Sequence, residues 1–185
     1  MMATSSQSRV DISLNSSPHS LSNKVGRVLW GLVWSILFRP TPRIMYGWRR
    51  MLLQLFGATM APHSTVFGST RIWAPWNLEM GSYACLSERV EVLNVSKVRL
   101  GDHATVSQFS YLCSASHDFD DPAMPVVSSP IVIGDGAWVC ADVFIGPGVS
   151  VGNNCVISAR ATVLEDIPSD TIAAGNPARP IRIRQ

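Results

Sequence analysis

Four histidines, His19, His63, His103 and His117, are the only imidazoles in this chain of 185 residues. An imidazole can take a proton from a hydroxyl near neutral pH and return it to a leaving group. His19 falls in a Ser-rich N-terminal stretch. His63 lies just ahead of the periodic part of the chain, and His103 occupies a turn position, where it reads as a solvated residue. His117 ends an inner strand and opens a polar, Pro-containing segment, His117-Asp-Phe-Asp-Asp-Pro-Ala-Met-Pro-Val-Val. It is therefore the candidate general base. Asp118 follows directly, but adjacent strand residues point to opposite faces, so no His–Asp dyad is assumed. The orienting partner is expected to be a backbone carbonyl or Glu88. A histidine that only anchors the segment is the alternative.

Other chemistries lack their residues. No G-x-S-x-G turn offers a serine nucleophile, and no G-x-x-x-x-G-K-[ST] run offers a phosphate cradle. Cys85, Cys113, Cys140 and Cys155 form no C-x-x-C pair. They read as small packing residues in a reducing compartment, not as a disulfide set or a zinc site. A zinc hydratase needs three imidazoles around an open metal position. Only His103 and His117 lie in the periodic region, so no metal is expected.

The element that must position His117 is a repeat. From Ile133 to Ile167 an aliphatic residue recurs every six positions: Ile133, Val139, Ile145, Val151, Ile157 and Val163. The next position is mostly small (Gly134, Cys140, Gly146, Gly152, Ser158), and the fifth is small or branched (Ala137, Val143, Val149, Cys155, Ala161, Ile167). Neither a helix nor a plain strand has this period. Short internal periods of this kind indicate a β-helix: three hexapeptides make one triangular coil, and stacked coils share a core. Upstream, Leu100, Val106 and Leu112 keep the phase, and Ile72, Leu78, Ala84 and Val90 also lie six apart, with a slip between Val90 and Leu100. The gap of fifteen between Leu112 and Val127 predicts a loop, 117–130, projecting from a rigid scaffold, a usual place for function.

The predicted organisation is a disordered tail (1–22), a helical segment (23–60), the β-helix (61–170) and a C-terminal tail (171–185). The net charge is only +2, yet no Asp or Glu lies between Asp11 and Glu79, where Lys24, Arg27, Arg39, Arg43, Arg49, Arg50 and Arg71 all fall. Helices are expected over 23–38 and 44–56, broken by the prolines of Arg39-Pro-Thr-Pro-Arg43. The apolar run 28–38 is about half of the roughly twenty residues needed to span a bilayer, and no signal-peptide cleavage site follows it. These helices are expected to pack on the end of the coil or on a neighbouring subunit, or to touch an anionic membrane surface through Arg and Trp within 24–50. The chain is expected in the cytoplasm, free or at the inner face of the cytoplasmic membrane, with no nucleic-acid partner.

The hexapeptides, Ser116-His117-Asp118, Gly134-Asp-Gly-Ala-Trp138 and Gly175-Asn-Pro-Ala-Arg-Pro180 together resemble the left-handed β-helix acyltransferases. Within them the chain resembles the sugar O-acetyltransferases related to nodulation and galactoside acetyltransferases. Trp76-Asn-Leu-Glu-Met-Gly81, Cys85-Leu-Ser-Glu88, Thr105-Val-Ser-Gln108 and the basic, Trp-rich helices are similar to the colanic acid biosynthesis acetyltransferases of exopolysaccharide clusters. The resemblance covers residues 23–185. The repeat alone also occurs in γ-class carbonic anhydrases, and a non-enzymatic solenoid scaffold is a further alternative.

The resemblance implies acetyl-CoA as donor, a saccharide or lipid-linked saccharide as acceptor, and direct transfer with no acyl-enzyme. His117 would deprotonate the sugar hydroxyl, backbone N–H groups would stabilise the oxyanion, and His117 would then protonate the thiolate. It further implies that Ala141 and Ala159 contact the CoA arm through the backbone, that Trp138 lines the thioester region, and that Arg179 and Arg182 lie near the nucleotide phosphate. Ser87 and Glu88 are the expected acceptor contacts, although simple-sugar members carry an amide where this chain has Ser87. Leu164-Glu165 replaces the family's common Thr-Lys, and Glu165 cannot pair with a phosphate. Such sites usually lie between two subunits of a homotrimer.

Overall fold

Each hexapeptide forms a strand of two or three residues and a turn, and the turns bend at fixed positions. The computed structural model describes residues 10–14 and 17–185; of the tail expected to be disordered, 1–9 and 15–16 lie outside the described residues. Three parallel sheets result. The first face runs through Thr59–Met60, Leu78–Met80, Val98–Leu100, Ile131–Ile133 and Ser150–Val151. The second runs through Thr65–Val66, Cys85–Leu86, Thr105–Val106, Trp138–Val139 and Val156–Ile157, and ends in the antiparallel pair Thr171–Gly175 and Ala178–Ile183. The third holds Arg71–Ile72, Glu91–Leu93, Tyr111–Cys113, Phe144–Ile145 and Thr162–Val163.

Parallel register stacks like on like. Ile72, Val92, Leu112, Ile145 and Val163 form one inward column, and all are buried. The fifth residues Ala137, Val143, Val149, Cys155 and Ala161 are buried beside such columns. The small second position has a steric cause: a Cβ on Gly134 would come within 2.5 Å of Asn153 Oδ1 in the next coil. At that corner amides donate across coils to short side chains. Asp102 N reaches Asp135 Oδ1 at 2.8 Å, Asp135 N reaches Asn153 Oδ1 at 2.9 Å, and Asn153 N reaches Ser169 Oγ at 3.0 Å.

The early coils are longer than the hexapeptide rule allows. Thr65, Cys85 and Thr105 are register partners 20 residues apart, whereas Ile133 and Val151 are 18 apart. The extra pair of residues sits at the corner from third to first face. Buried Asn94 holds it there by donating to Ala74 O (2.7 Å) and accepting from Ala74 N (2.9 Å). The upstream six-residue series therefore crosses slots. Ile72 is a strand-opening residue, whereas Leu78, Ala84 and Val90 fill fifth positions, so a slip precedes Leu78 as well as Leu100. His63 is also inside the coil: its ring stacks on Tyr83 at 4.9 Å, and Tyr83 stacks on His103 at 5.0 Å. His103 is part of an aromatic ladder, spaced like the strands that carry it, and is not simply solvated.

The helical segment begins two residues earlier than expected. Ser20 caps α1 (Leu21–Val33) by accepting from Asn23 N, a preferred N-cap contact. His19 is no free tail residue; it lies against Trp73. A π-helical turn, Trp34–Phe38, continues α1, and α2 spans Tyr46–Leu55. The indoles face the coils: Trp30 Nε1 donates to Ile72 O and Trp34 Nε1 to Thr70 O, each at 2.8 Å. Trp48 Nε1 donates to Leu37 O. Trp30, Trp34 and Trp48 therefore take the packing role, the first of the two expected for these helices. Arg49, fully buried, donates to the carbonyls of Val66, Pro42 and Arg43 and to Thr41 Oγ1. Among the described residues no helix is long and apolar enough to cross a membrane.

Candidate active site

His117 stands on a hairpin that the repeat cannot absorb. Ile133 is the register partner of Leu100, so this coil takes 33 residues. The surplus leaves the corner between third and first face as antiparallel strands Ala115–His117 and Val126–Ser128. Val127 pairs with Ser116 on this hairpin and is exposed; the inward phase resumes at Ile131 and Ile133. Buried Ser114 fixes the base: its Oγ donates to Leu93 O at 2.9 Å and its carbonyl accepts from Ser129 N at 3.0 Å.

At the exposed hairpin the His117 ring meets the backbone. Nδ1 lies 2.6 Å from Met124 O. A carbonyl can only accept, so Nδ1 carries the proton and donates, leaving the Nε2 lone pair outward. Asp118 bends the loop, accepting from Asp120 N through Oδ1 while its own amide donates to Pro125 O. Of the two orienting partners expected, the backbone carbonyl is the one present.

Glu88 belongs elsewhere, at the corner between second and third face. There Glu88, Gln108, Ala141 and Ala159 form one column, shown by amide donations from Phe109 to Glu88 O, Asp142 to Gln108 O and Arg160 to Ala141 O. Ser87 sits one residue before it. Trp138 lies on the adjoining second face, 48% exposed, with Nε1 donating to Ser107 Oγ at 3.0 Å. The structure thus gathers Ser87, Glu88, Trp138, Ala141 and Ala159 along one ridge, and sends His117 out from a different edge of the same prism.

Arg179 and Arg182 lie on the last strand. Glu165 engages Arg179 through both oxygens at 3.1 Å. The carboxylate that cannot meet a phosphate therefore holds the guanidinium expected to do so. Arg182 donates to Ile183 O. Burial pushes the Cys140 and Cys155 thiols up, consistent with packing roles. Among the described residues no group of three or more His, Cys, Asp or Glu could hold a metal ion.

Sequence reasoning missed a groove of about 380 Å³ between α1 and the third face. Arg27, Trp34, Trp73, Glu91 and Tyr111 line it, and it reaches Leu93, the register partner of Cys113 near the hairpin base. Burial, with Cys113 and Glu91 adding to it, pushes the Tyr111 hydroxyl up to about 12, so it remains a donor at any working pH. The signal was available: Arg71, Glu91 and Tyr111 are spaced by the 20-residue coil, which aligns them in one outward column.

The comparisons with known proteins agree with this triangular stack of hexapeptide coils. The family model described as "Bacterial transferase hexapeptide (six repeats)" matches residues 130–165. The Escherichia coli protein named "Putative colanic acid biosynthesis acetyltransferase WcaF" is 37% identical over 162 residues, 88% of this chain and 89% of that one. A maltose O-acetyltransferase from Clostridium difficile superposes with a TM-score of 0.82 at 26% identity, covering 90% of both chains. A galactoside acetyltransferase in complex with coenzyme A gives 0.81 at 25% identity, over 91% of this chain and 86% of that one. The chain belongs to the hexapeptide-repeat acetyltransferases, and its fold is their left-handed parallel β-helix.

Proposed function

We propose that this protein transfers an acetyl group from acetyl-CoA to a saccharide hydroxyl, in the cytoplasm and in the service of exopolysaccharide synthesis, with His117 as general base. The observation that carries the reading is the His117 Nδ1 contact to Met124 O, which commits the neutral ring to the tautomer whose Nε2 can accept. Nε2 takes the proton of the acceptor hydroxyl as that oxygen bonds to the acetyl carbon. The carbon–sulfur bond breaks, and the proton passes from Nε2 to the departing thiolate. No acyl-enzyme is required.

The ridge of Trp138, Ala141 and Ala159 suits the pantetheine arm. Small side chains leave backbone groups reachable there, and the exposed Arg182 is available to a phosphate. When bound, acetyl-CoA supplies the thioester that the acceptor attacks. Because His117 and this ridge occupy different edges of one chain, the site lies between two copies, with one copy's hairpin facing another's ridge in a homotrimer. The groove beside Trp73 and Tyr111 offers apolar ring edges next to the hydrogen-bonding groups of Arg27 and Glu91, the combination that a pyranose needs. The names of the relatives, a colanic acid biosynthesis enzyme and two sugar acetyltransferases, support a saccharide acceptor.

The test is His117→Ala with acetyl-CoA and a panel of nucleotide sugars and lipid-linked oligosaccharides. Turnover should fall by about 10²–10⁴-fold, the usual contribution of a general base, while calorimetry shows CoA affinity unchanged. Turnover within about tenfold of wild type would remove His117 as the base.

A further inference from the structure

The groove beside Trp73 and Tyr111 does not end there. It continues along the third face, away from the hairpin, into a second compartment of about 590 Å³ that shares Trp34, Arg71, Glu91 and Tyr111 with it. Arg39, Ser69, Arg89 and Phe109 line only this second part. Its guanidiniums are held by rings and not by carboxylates. Arg39 and Arg71 lie over Trp34, 5.4 and 5.3 Å from the ring centroid, and Arg89 lies over Phe109 at 5.5 Å. All three are exposed, and among the described residues none of the three side chains takes part in an ion pair or a hydrogen bond. A stacked guanidinium uses its face on the ring and keeps the N–H donors in its plane for an anion. Asp142, which also borders the compartment, is engaged by Arg160 at 3.4 Å, so Glu91 alone opposes three cations. The Arg89 amide donates to Ser69 Oγ at 3.0 Å, which leaves the hydroxyl proton of Ser69 to donate in turn.

We propose that this second compartment binds the phosphate or diphosphate of an acceptor whose sugar occupies the first, so that the enzyme acetylates a saccharide still attached through phosphate to its carrier. The sugar's part in this rests on the acetyl-transfer reading above; the anion site itself rests on the three guanidiniums. A planar guanidinium donates two parallel bonds to phosphate oxygens, the strong charge-assisted kind. The order of residues along the chain sets the direction of the ligand. Arg89, Glu91 and Leu93 are two apart and run from the corner between second and third face to the base of the hairpin. Glu91 accepts from sugar hydroxyls and repels an anion, so the sugar lies toward Leu93 and the hairpin, and the phosphate toward Arg89. The phosphates of CoA are a poorer match. Their expected partners, Arg179 and Arg182, lie on the last strand, whereas Arg71 lies on the outermost strand of the third face at the other end of the stack.

Calorimetry on the full chain with inorganic diphosphate, UDP and geranyl diphosphate tests it without requiring turnover. Wild type should bind diphosphate whether or not CoA is saturating, and less tightly as salt rises. Arg71→Gln/Arg89→Gln should weaken that binding at least about tenfold, the least expected when hydrogen bonds between charged groups are removed, while melting, sedimentation and CoA affinity stay unchanged. Arg39→Gln should weaken it less, and decides the matter if the pair fails to fold. Tighter binding of UDP than of geranyl diphosphate assigns a nucleotide carrier, and the reverse assigns an isoprenoid lipid; both uphold phosphate recognition. Failure of wild type to bind any of the three, or binding by every folded variant equal to wild type, overturns the proposal. So does displacement of diphosphate by CoA, which would make the compartment part of the CoA site, or a changed oligomeric state in the folded variants, which would make it a subunit contact. His117→Ala should keep diphosphate binding. Retained transfer in that variant removes the base and leaves the phosphate site standing, whereas lost transfer with no diphosphate binding by wild type removes the phosphate site alone.

Discussion

Between Ile133 and Val163 one small contact recurs coil after coil: an aliphatic side chain on its counterpart, and an amide donating to the Asp, Asn or Ser of the next coil. Between Leu21 and Leu55 nothing recurs. That segment is fastened by a few long side chains, Trp30, Trp34 and Arg49, each reaching carbonyls far away in sequence. The repeat spreads its stability over many equivalent contacts, as expected where each unit touches only its neighbours. The helical segment concentrates its attachment in few residues, so single substitutions should separate the two regions.

Arg49→Met is the sharpest way to break the contrast. It strands the carbonyls of Val66, Pro42 and Arg43 in a buried site, at a cost on the order of 3 kcal/mol, since each unsatisfied group costs about 1–3 kcal/mol. Ile145→Val in the coil core should cost only about 1 kcal/mol. Hydrogen exchange should show early opening of residues 21–66 in Arg49→Met while 131–163 stay protected; uniform opening of both regions would show that they form one cooperative unit.

A smaller effect is expected at the end of the coil. Glu165→Gln releases Arg179 from a half-exposed ion pair, an interaction worth less than about 1 kcal/mol, so melting should hardly move. CoA binding should nevertheless tighten by roughly a few fold, because the freed guanidinium can make a charge-assisted hydrogen bond to a phosphate. Unchanged affinity would remove Arg179 from the phosphate site.

The smallest effect is in pH. Partial burial beside Trp73, with the charges of Arg27 and Lys24, holds His19 below its ordinary value of 6.5. The folded state therefore binds fewer protons than the unfolded chain in the window just below 6.5, and stability rises with pH through that window. Melting of wild type should decline slightly as pH falls below 6.5, and His19→Gln should remove that slope; an identical slope in the variant would exclude His19 as its source.

Periodic contacts were legible in the sequence because the steric demand that produces them repeats. Every opening residue from Ile133 to Val163 is buried. The upstream phase was harder, because two residues added at one corner of each early coil leave the strands intact while shifting the count, so Ile72 and Leu78 look equivalent in sequence and are not. The orientation of Trp30 and Trp34 was not legible: an amphipathic helix has two candidate faces, and here indole N–H groups seeking coil carbonyls chose the inward one over the aliphatic stripe. At the site, His117 was recognisable as the residue that ends the repeat, but its bond to Met124 depends on a left-handed turn at Met124 inside an aperiodic loop. The Glu165–Arg179 pair joins residues fourteen apart, one in the loop after Thr162–Val163 and one on the last strand, and carries no local pattern.

The most direct measurement concerns the division of the site between copies. His117→Ala and Ala141→Trp are each expected to be nearly inactive, the first lacking the base and the second obstructing the ridge. Co-expressed with different affinity tags and purified through both, the mixed oligomers should recover activity, up to about a third of wild type, because any mixed ring of three keeps one intact hairpin–ridge junction. Mixed oligomers as inactive as their parents would contradict a site built from one copy's hairpin and another's ridge.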